Sequence, residues 1–227
     1  MPDQQPPMLI YGAGAMARVL FSYARHSRDI VGFTVDDHMI DGAATFCELP
    51  LHPFSSIETR LSPDDCDMII AVGFAEMNTL RKKKSEEARA KGFRLSSFAD
   101  ESVQHHYGVN IGENTIILDH TAIHPGCSIG QGAFLSSNVS LGHDCIIGDY
   151  CWINAGVAMG GGCRIGEGAF FGVNASLAHK AEIGDHAFIG ASAHVKKSVA
   201  ANSVVVAAGA APIQFKSQDF LQLAGLP

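Results

Sequence analysis

A six-residue repeat runs through the second half of the chain and limits the folds open to it. From residue 111 to residue 195 every sixth side chain is large and apolar, and Gly follows directly at nine of the fifteen positions. A period of six matches neither an α-helix nor a simple alternating strand, but it is the signature of a parallel β-helix built from hexapeptides. The positions are Ile111, Ile117, Ile123, Ile129, Leu135, Leu141, Ile147, Ile153, Met159, Ile165, Phe171, Leu177, Ile183, Ile189 and Val195.

A second phase of small or β-branched side chains follows each large residue by four positions. Small side chains beside large ones fill the interior of a narrow triangular prism at native packing density. Three faces of six residues make one coil, so residues 18 apart stack along the prism axis. An antiparallel β-sandwich would show less regular turn signals. The second-phase residues are Thr115, Thr121, Cys127, Ala133, Val139, Cys145, Cys151, Val157, Cys163, Ala169, Ala175, Ala181, Ala187, Ala193 and Val199.

The first part of the chain has a different pattern. Strand-like segments at 8–11, 30–35, 67–72 and 93–98 alternate with helical segments, the longest of them at 75–91. This alternation predicts a parallel sheet with crossover helices. We therefore expect a small α/β domain of Rossmann-like βαβ type at residues 1–105, an all-β prism at 106–212, and a tail with a short helix at 213–227.

Composition excludes several classes of function. The net charge of −7 argues against a nucleic-acid partner, because phosphate binding requires clustered Lys and Arg. The basic run at 81–84 is followed by two Glu residues and is interpreted as a solvated helix face. Apolar runs stay short of the roughly 18 residues that a membrane span requires. Residues 1–5 lack the features of a signal peptide, so we expect a cytoplasmic protein.

Neither cysteines nor histidines predict a metal site. Four of the six Cys share the small-residue phase and are expected in the prism core. His143 and His179 share a column but lie two coils apart, roughly 10 Å, which is too far to share an ion. His120 and His124 have no third partner at a suitable position.

A glycine-rich turn joins the first strand to the first helix. Residues 12–17 match G-x-G-x-x-A, a pattern that places a nucleotide phosphate at a helix N-terminus. Gly12 and Gly14 would let backbone N–H groups approach an anion, and Asp36 or Asp37 would accept hydrogen bonds from a ribose or a base edge. A purely structural turn is the alternative.

One histidine and one glycine run stand out in the prism. His143 follows Leu141-Gly142 at an outward corner position and precedes Asp144, an arrangement typical of a general base with its orienting acid. A surface histidine without a role is the alternative. Gly161 stacks over His143, and its backbone N–H is suited to polarising a carbonyl. The alternative for this glycine is a tight corner.

The combination of these segments resembles the NeuD/PglD-type sugar acyltransferases. The resemblance rests on the turn at 12–17, V-D-D at 35–37, the strand end at 69–73 and L-G-H-D-C-I-I-G at 141–148, and it covers about residues 8–212. It implies a left-handed β-helix and a homotrimer with acetyl-CoA between neighbouring prisms. It also implies that the N-terminal domain binds a nucleotide-linked amino sugar.

The resemblance assigns roles to individual residues. It implies that His143 is the catalytic base with Asp144 as its acidic partner, and that Gly161 contacts the thioester carbonyl. Val173 and Ala191 match positions along the pantetheine and the adenine end of acetyl-CoA. Trp152 stands where some members carry a second histidine. Positions near the nucleotide are Gly12, Gly14, Asp36 and Gly73.

The expected function is acetyl-CoA-dependent N-acetylation of a nucleotide-linked 4-amino-4,6-dideoxy sugar by direct transfer in a ternary complex, without a metal. Sialic acid O-acetylation within the same family is an alternative. A third possibility is an NAD-binding oxidoreductase or sensor module on a trimeric β-helix, suggested by the glycine-rich turn. About 90 residues precede the prism, which is short for a dinucleotide domain.

Overall fold

The computed structural model of the chain describes residues 5–212, 214 and 216–223. Most of the segment on which the signal-peptide prediction depends, and the outer limits of the predicted domains, lie outside these residues. An α/β domain comes first, the prism second, and a short helix follows. No helix in the described ranges is long and apolar enough to cross a membrane.

A five-stranded sheet forms the α/β domain. Its order is β3-β4-β2-β1-β5, in which β3 and β4 pair antiparallel and the other neighbours pair in parallel. Every residue of β1 is buried, as expected for a parallel strand covered on both faces. The elements are β1 Met8–Tyr11, α1 Ala15–Ala24, β2 Ile30–Val35, β3 Thr45–Phe46, β4 Leu49–Pro53, β5 Asp67–Ile70 and α2 Thr79–Ala90, with 3-10 segments at Asp37–Met39, Phe54–Thr59 and Ala75–Asn78.

The prism consists of three parallel sheets with seven, six and five strands. Strand partners are 18 residues apart, as in Phe134 with Trp152, so the predicted parallel β-helix is confirmed. The large and small phases of the repeat together form its core from Ile117 to Val195. The strands are β6 Phe98–Ala99, β7 Gln104–His105, β8 Asn110–Ile111, β9 Ile116–Ile117, β10 Ala122–Ile123, β11 Ser128–Ile129, β12 Phe134–Leu135, β13 Ser140–Leu141, β14 Ile146–Ile147, β15 Trp152–Ile153, β16 Ala158–Met159, β17 Arg164–Ile165, β18 Phe170–Phe171, β19 Ser176–Leu177, β20 Glu182–Ile183, β21 Phe188–Ile189, β22 His194–Val195 and β23 Val204–Val205.

The prism begins earlier than the boundary predicted at residue 106. Phe98, expected to end a strand of the α/β sheet, instead lies in β6 and pairs with β9 of the prism. Leu95 forms a single bridge to β5. The sequence repeat did not reveal the first coil, because Ala99 and His105 stand at the positions where later coils carry a large apolar residue. Ile111, the first residue of the visible repeat, is 38% exposed rather than part of the core.

The helix predicted at 75–91 also starts later than expected. Ala75–Asn78 is a 3-10 segment whose last three residues have left-handed backbone, and α2 begins after it. The Asn78 side-chain amide donates a hydrogen bond to the Gly168 carbonyl at 3.0 Å. The contact ties this irregular segment to the prism, which local sequence propensity cannot foresee.

One face of the prism carries an aromatic ladder, a column of outward apolar side chains repeated every 18 residues. The α/β domain packs on this ladder, since residues of α1, of the sheet and of the ladder form one buried cluster. Within it, Trp152 lies 4.1 Å from the Phe134 ring centroid. Trp152 is therefore a packing residue between the domains. The ladder consists of Phe98, Ile116, Phe134, Trp152, Phe170 and Phe188.

The interpretation of the basic run as a solvated helix face is wrong for two of its members. Arg81 is only 2% exposed and donates hydrogen bonds to the carbonyls of Gly132 at 2.8 Å and Tyr150 at 2.9 Å. Burial lowers the pKa of this guanidinium to about 10. Lys84 is buried too, whereas the Lys83 side chain is 70% exposed as expected. Arg81 reaches across the domain boundary to the prism, whereas Lys84 bonds to Asp36 within the α/β domain. Both are tertiary contacts without a local signature.

All six cysteines are free, and the four in the small-residue phase lie in the prism core as predicted. Burial raises the pKa of Cys145 and of Cys151 to about 12, so these thiols are poor nucleophiles at neutral pH. The last described element is α3, Ser217–Leu223, within the predicted tail.

Candidate functional site

His143 and Asp144 lie at the prism corner between β13 and β14. The imidazole Nδ1 is 2.8 Å from the Asp144 carboxylate, and both side chains are exposed. Asp144 has left-handed backbone with φ of 59°, a conformation in which Asp is enriched and which turns its carboxylate toward the ring. An acid on Nδ1 leaves Nε2 free to accept a proton. The predicted base and acid are therefore in contact.

Gly161 lies beneath the His143 ring on the next coil. A Cβ at this position would be 2.5 Å from the His143 Nε2, so glycine is required for the ring to lie there. Within the described residues the Gly161 N–H has no hydrogen-bond acceptor, while its carbonyl accepts from Lys180 N–H at 2.9 Å. A free N–H beside the imidazole is suited to polarise a carbonyl group.

His179 is closer to His143 than the sequence predicted. The two ring centroids are 6.0 Å apart, not the roughly 10 Å expected from two coil spacings. The prediction was wrong because it used backbone spacing, whereas Gly161 leaves a gap over which the two rings approach each other. Distance therefore does not exclude a shared ion. Across the described ranges, however, no three His, Cys, Asp or Glu side chains form a metal-binding group.

A cleft of about 300 Å³ lies beside these two histidines. It continues into an open groove of about 710 Å³ that shares Arg164 and Glu182 and extends to Val199 in the last coil. Sequence reasoning missed most of this lining, although the 18-residue stacking rule places residue 179 in the column of residue 143 and residues 180 and 182 next to that column. The cleft is lined by His143, Asp144, Gly162, Arg164, His179, Lys180 and Glu182.

Two residues predicted along the donor lie elsewhere on the prism. Val173 follows β18 and Ala191 follows β21, so both occupy a different corner from His143. Both are exposed and stack on each other one coil apart. A single chain does not bring them to the His143 cleft.

A second pocket, of about 540 Å³, lies at the glycine-rich turn of the α/β domain. It brings together four predicted residues, namely Gly12, Gly14, Asp36 and Gly73. Gly12 has a φ of +132°, and a Cβ there would lie 2.6 Å from the Ala71 carbonyl oxygen, so this glycine is also required by the fold. Sequence reasoning missed further lining residues that follow β2 or lie in the first turn of α2. These are His38, Met39 and Leu80.

Asp36 is the acid that faces this pocket. Its carboxylate accepts a hydrogen bond from the buried Lys84 ammonium at 2.7 Å. Burial would raise the Asp36 pKa, but hydrogen bonds from Lys84 and Tyr11 hold that pKa below its ordinary value. Asp37 instead accepts hydrogen bonds from Ser55 at 2.6 and 3.2 Å. The structure thus gives no support to Asp37 as a pocket residue.

Residues 162–197 match the family described as bacterial transferase hexapeptide, six repeats. The chain carries this family's repeat. No curated protein is significantly similar to the chain in sequence.

Solved structures share the fold over most of the chain. The acetyltransferase domain of PglB from Neisseria gonorrhoeae, in complex with acetyl coenzyme A, superposes with a TM-score of 0.80 at 22% identity, covering 92% of this chain and 100% of that one. A variant of perosamine N-acetyltransferase from Caulobacter crescentus, in complex with CoA and GDP-perosamine, gives a TM-score of 0.69 at 24% identity, with 87% and 92% covered. WeeI from Acinetobacter baumannii gives 0.59 at 18%, with 88% and 96% covered. The predicted resemblance is confirmed in fold and extent.

Proposed function

We propose that the protein is an acetyl-CoA-dependent N-acetyltransferase acting on the amine of a nucleotide-linked 4-amino-4,6-dideoxy sugar. The observation that carries the proposal is the His143–Asp144 pair lying over the free N–H of Gly161 at the head of a groove. Two proteins of the same fold support it, one in complex with acetyl coenzyme A and the other with CoA and GDP-perosamine.

The residues at the prism corner support direct transfer in a ternary complex. The sugar amine attacks the thioester carbonyl carbon while His143 Nε2 accepts its proton, and Asp144 stabilises the resulting imidazolium. The Gly161 N–H stabilises the oxyanion. A covalent acyl-cysteine is not part of this route, because the Cys thiols of the prism are buried.

The acyl donor would lie along the groove that runs from His143 to the last coil. Arg164 and Lys180 place positive charge in the cleft for the phosphates of acetyl-CoA. In a homotrimer, a neighbouring prism would bring its Val173 and Ala191 corner against this groove. Such an arrangement accounts for their separation from His143 within one chain.

The nucleotide would occupy the pocket of the α/β domain. Gly12 and Gly14 open the N-terminus of α1 to the diphosphate, because backbone N–H groups in the first turn lack helical partners. Ionised Asp36 would accept hydrogen bonds from ribose hydroxyls or from a base N–H, and Gly73 closes the opposite wall.

The test is release of CoA thiol from acetyl-CoA with a panel of nucleotide-linked amino sugars and sialic acid. We expect turnover with an amino sugar and a loss of about 10²- to 10⁴-fold in kcat for His143→Ala. His26→Gln, at an exposed position on the α/β domain, is the matched control and should retain full activity. Full activity of His143→Ala in a correctly assembled protein would rule out the base assignment.

Two alternatives have their own readouts. Turnover with sialic acid instead of amino sugars would make the protein an O-acetyltransferase at the same site. The pocket at the G-x-G-x-x-A turn also favours, as a second class, an NAD-binding module. Binding of NAD to the native state would raise the melting temperature, whereas the proposed function predicts this rise with a nucleotide sugar.

A further inference from the structure

His179 faces the proposed base from the far side of Gly161. Its ring centroid is 6.0 Å from that of His143, and both side chains line the same cleft. Within the described residues neither His179 ring nitrogen has a hydrogen-bond partner, whereas His143 is held by Asp144. One imidazole is therefore oriented by an acid, and the other has both nitrogens available for a ligand.

The cleft beside the two rings, about 300 Å³ in volume, has room for one reacting acyl group. In the tetrahedral intermediate of acyl transfer, the attacking nitrogen and the oxyanion are substituents of the same carbon. A base and a donor that serve these two atoms must both lie within hydrogen-bond reach of them, about 2.6–3.2 Å, and can do so from the same wall of a cleft. Two imidazoles that line this cleft with ring centroids 6.0 Å apart, and with no side chain at Gly161 between them, are spaced to reach both atoms.

Backbone donors at such sites commonly act with a second donor aimed at the same oxygen. The Gly161 N–H supplies one donor here. Among the side chains that line the cleft, Asp144 is engaged by His143, and Glu182 has a carboxylate rather than a donor. Arg164 and Lys180 are donors, but the proposed function assigns them to the phosphates of acetyl-CoA. His179, whose ring lies beside that of His143 and whose nitrogens have no partner within the described residues, is the side chain suited to be the second.

Resting on the proposed acetyl transfer, we propose that His179 is a catalytic residue that donates a hydrogen bond to the carbonyl oxygen of the transferred acetyl group. As the amine nitrogen bonds to the carbonyl carbon, the C=O electron pair moves to oxygen, where Gly161 N–H and His179 N–H stabilise it. His143 takes the amine proton. Collapse breaks the C–S bond, the proton passes from His143 to the departing thiolate, and the amide and CoA thiol are released.

The experiment compares His179→Ala, His179→Gln and the control His26→Gln in the acetyl transfer assay. We expect His179→Ala to lower kcat about 10²-fold with little change in KM for acetyl-CoA, because the lost interaction forms only in the transition state. The Gln side chain retains an N–H donor, so His179→Gln should recover about tenfold of that loss.

Failure of this proposal is distinguishable from failure of the proposed function. If the wild-type protein transfers no acetyl group to any acceptor of the panel, the acetyltransferase function itself is overturned. If the wild type and His26→Gln are active, His143→Ala is inactive and His179→Ala keeps a kcat within twofold of wild type, the role of His179 alone is overturned. A rise in KM without a fall in kcat also overturns it, since that result indicates a ground-state contact.

Discussion

His143 depends on a residue that has no side chain. The imidazole lies over Gly161, and the Asp144 carboxylate lies over Gly126 of the preceding coil. Glycines on the coils to either side thus make room for the two interacting side chains. The positions of the His143 and Asp144 side chains are decided as much by these neighbouring glycines as by the pair itself.

Replacing Gly161 by Ala should displace the His143 ring, since the added methyl would lie 2.5 Å from Nε2. We expect kcat for acetyl transfer to fall about 10²-fold, the effect of a misplacement of about 1 Å. The melting temperature should change little, because the ring is exposed and free to move outward. Gly209→Ala, where a Cβ meets nothing within 4 Å, is the control. Unchanged kcat would contradict the geometry described for the corner.

At the scale of the element, α2 connects the two domains through one buried face. Arg81 reaches the prism carbonyls, and Lys84, one turn later, holds Asp36 at the pocket of the α/β domain. Lys83, between them, points to solvent. The helix therefore links the pocket acid to the prism by two buried cations on a single face.

Substitution of two neighbouring lysines in α2 compares the contribution of a buried charge to stability with that of an exposed one. Lys84→Met removes hydrogen bonds to two carboxylates and should lower the free energy of unfolding by about 2 kcal/mol. Lys83→Met should change it by less than about 0.5 kcal/mol, as is usual for surface positions. Urea denaturation of both variants provides the measurement. Equal effects would show that the Lys84 contacts do not contribute to stability.

At the scale of the whole molecule, the aromatic ladder makes the α/β domain and the prism one packed unit. Stacked rings such as Phe170 and Phe188, with centroids 4.5 Å apart, lie under the α/β domain. The outward positions on the other two faces include Ser140, Ala158 and Arg164. Apolar area is concentrated on the face that the α/β domain covers, so the hydrophobic effect selects this face for docking.

Truncation of the ladder should uncouple the domains. Phe170→Ala removes a buried ring and should cost about 3 kcal/mol, with the α/β domain unfolding at a lower temperature than the prism. Trp152, the single tryptophan of the chain, lies in the ladder and reports the change by fluorescence. Ile146→Ala, on another face and 42% exposed, is the control and should leave one transition. A single unshifted transition in Phe170→Ala would argue against the ladder as the coupling surface.

The large and small positions of the hexapeptide repeat predicted the prism, because each of them points inward at a fixed position of an 18-residue coil. The same stacking rule placed Gly161 over His143. The aromatic ladder follows the same 18-residue spacing, but it was not identified from the sequence. The first coil escaped because Ala99 and His105 break the large-residue phase.

By itself the sequence determined the parallel β-helix, the cysteines of its core, the contact of His143 with Asp144 and the glycines that line the pocket of the α/β domain, because these depend on local order and a regular period. Only the tertiary structure decided the burial of Arg81 and Lys84, the choice of Asp36 over Asp37, and the approach of His179 to His143. Each of these depends on contacts between residues far apart in the chain, or on side-chain directions that a backbone period does not fix.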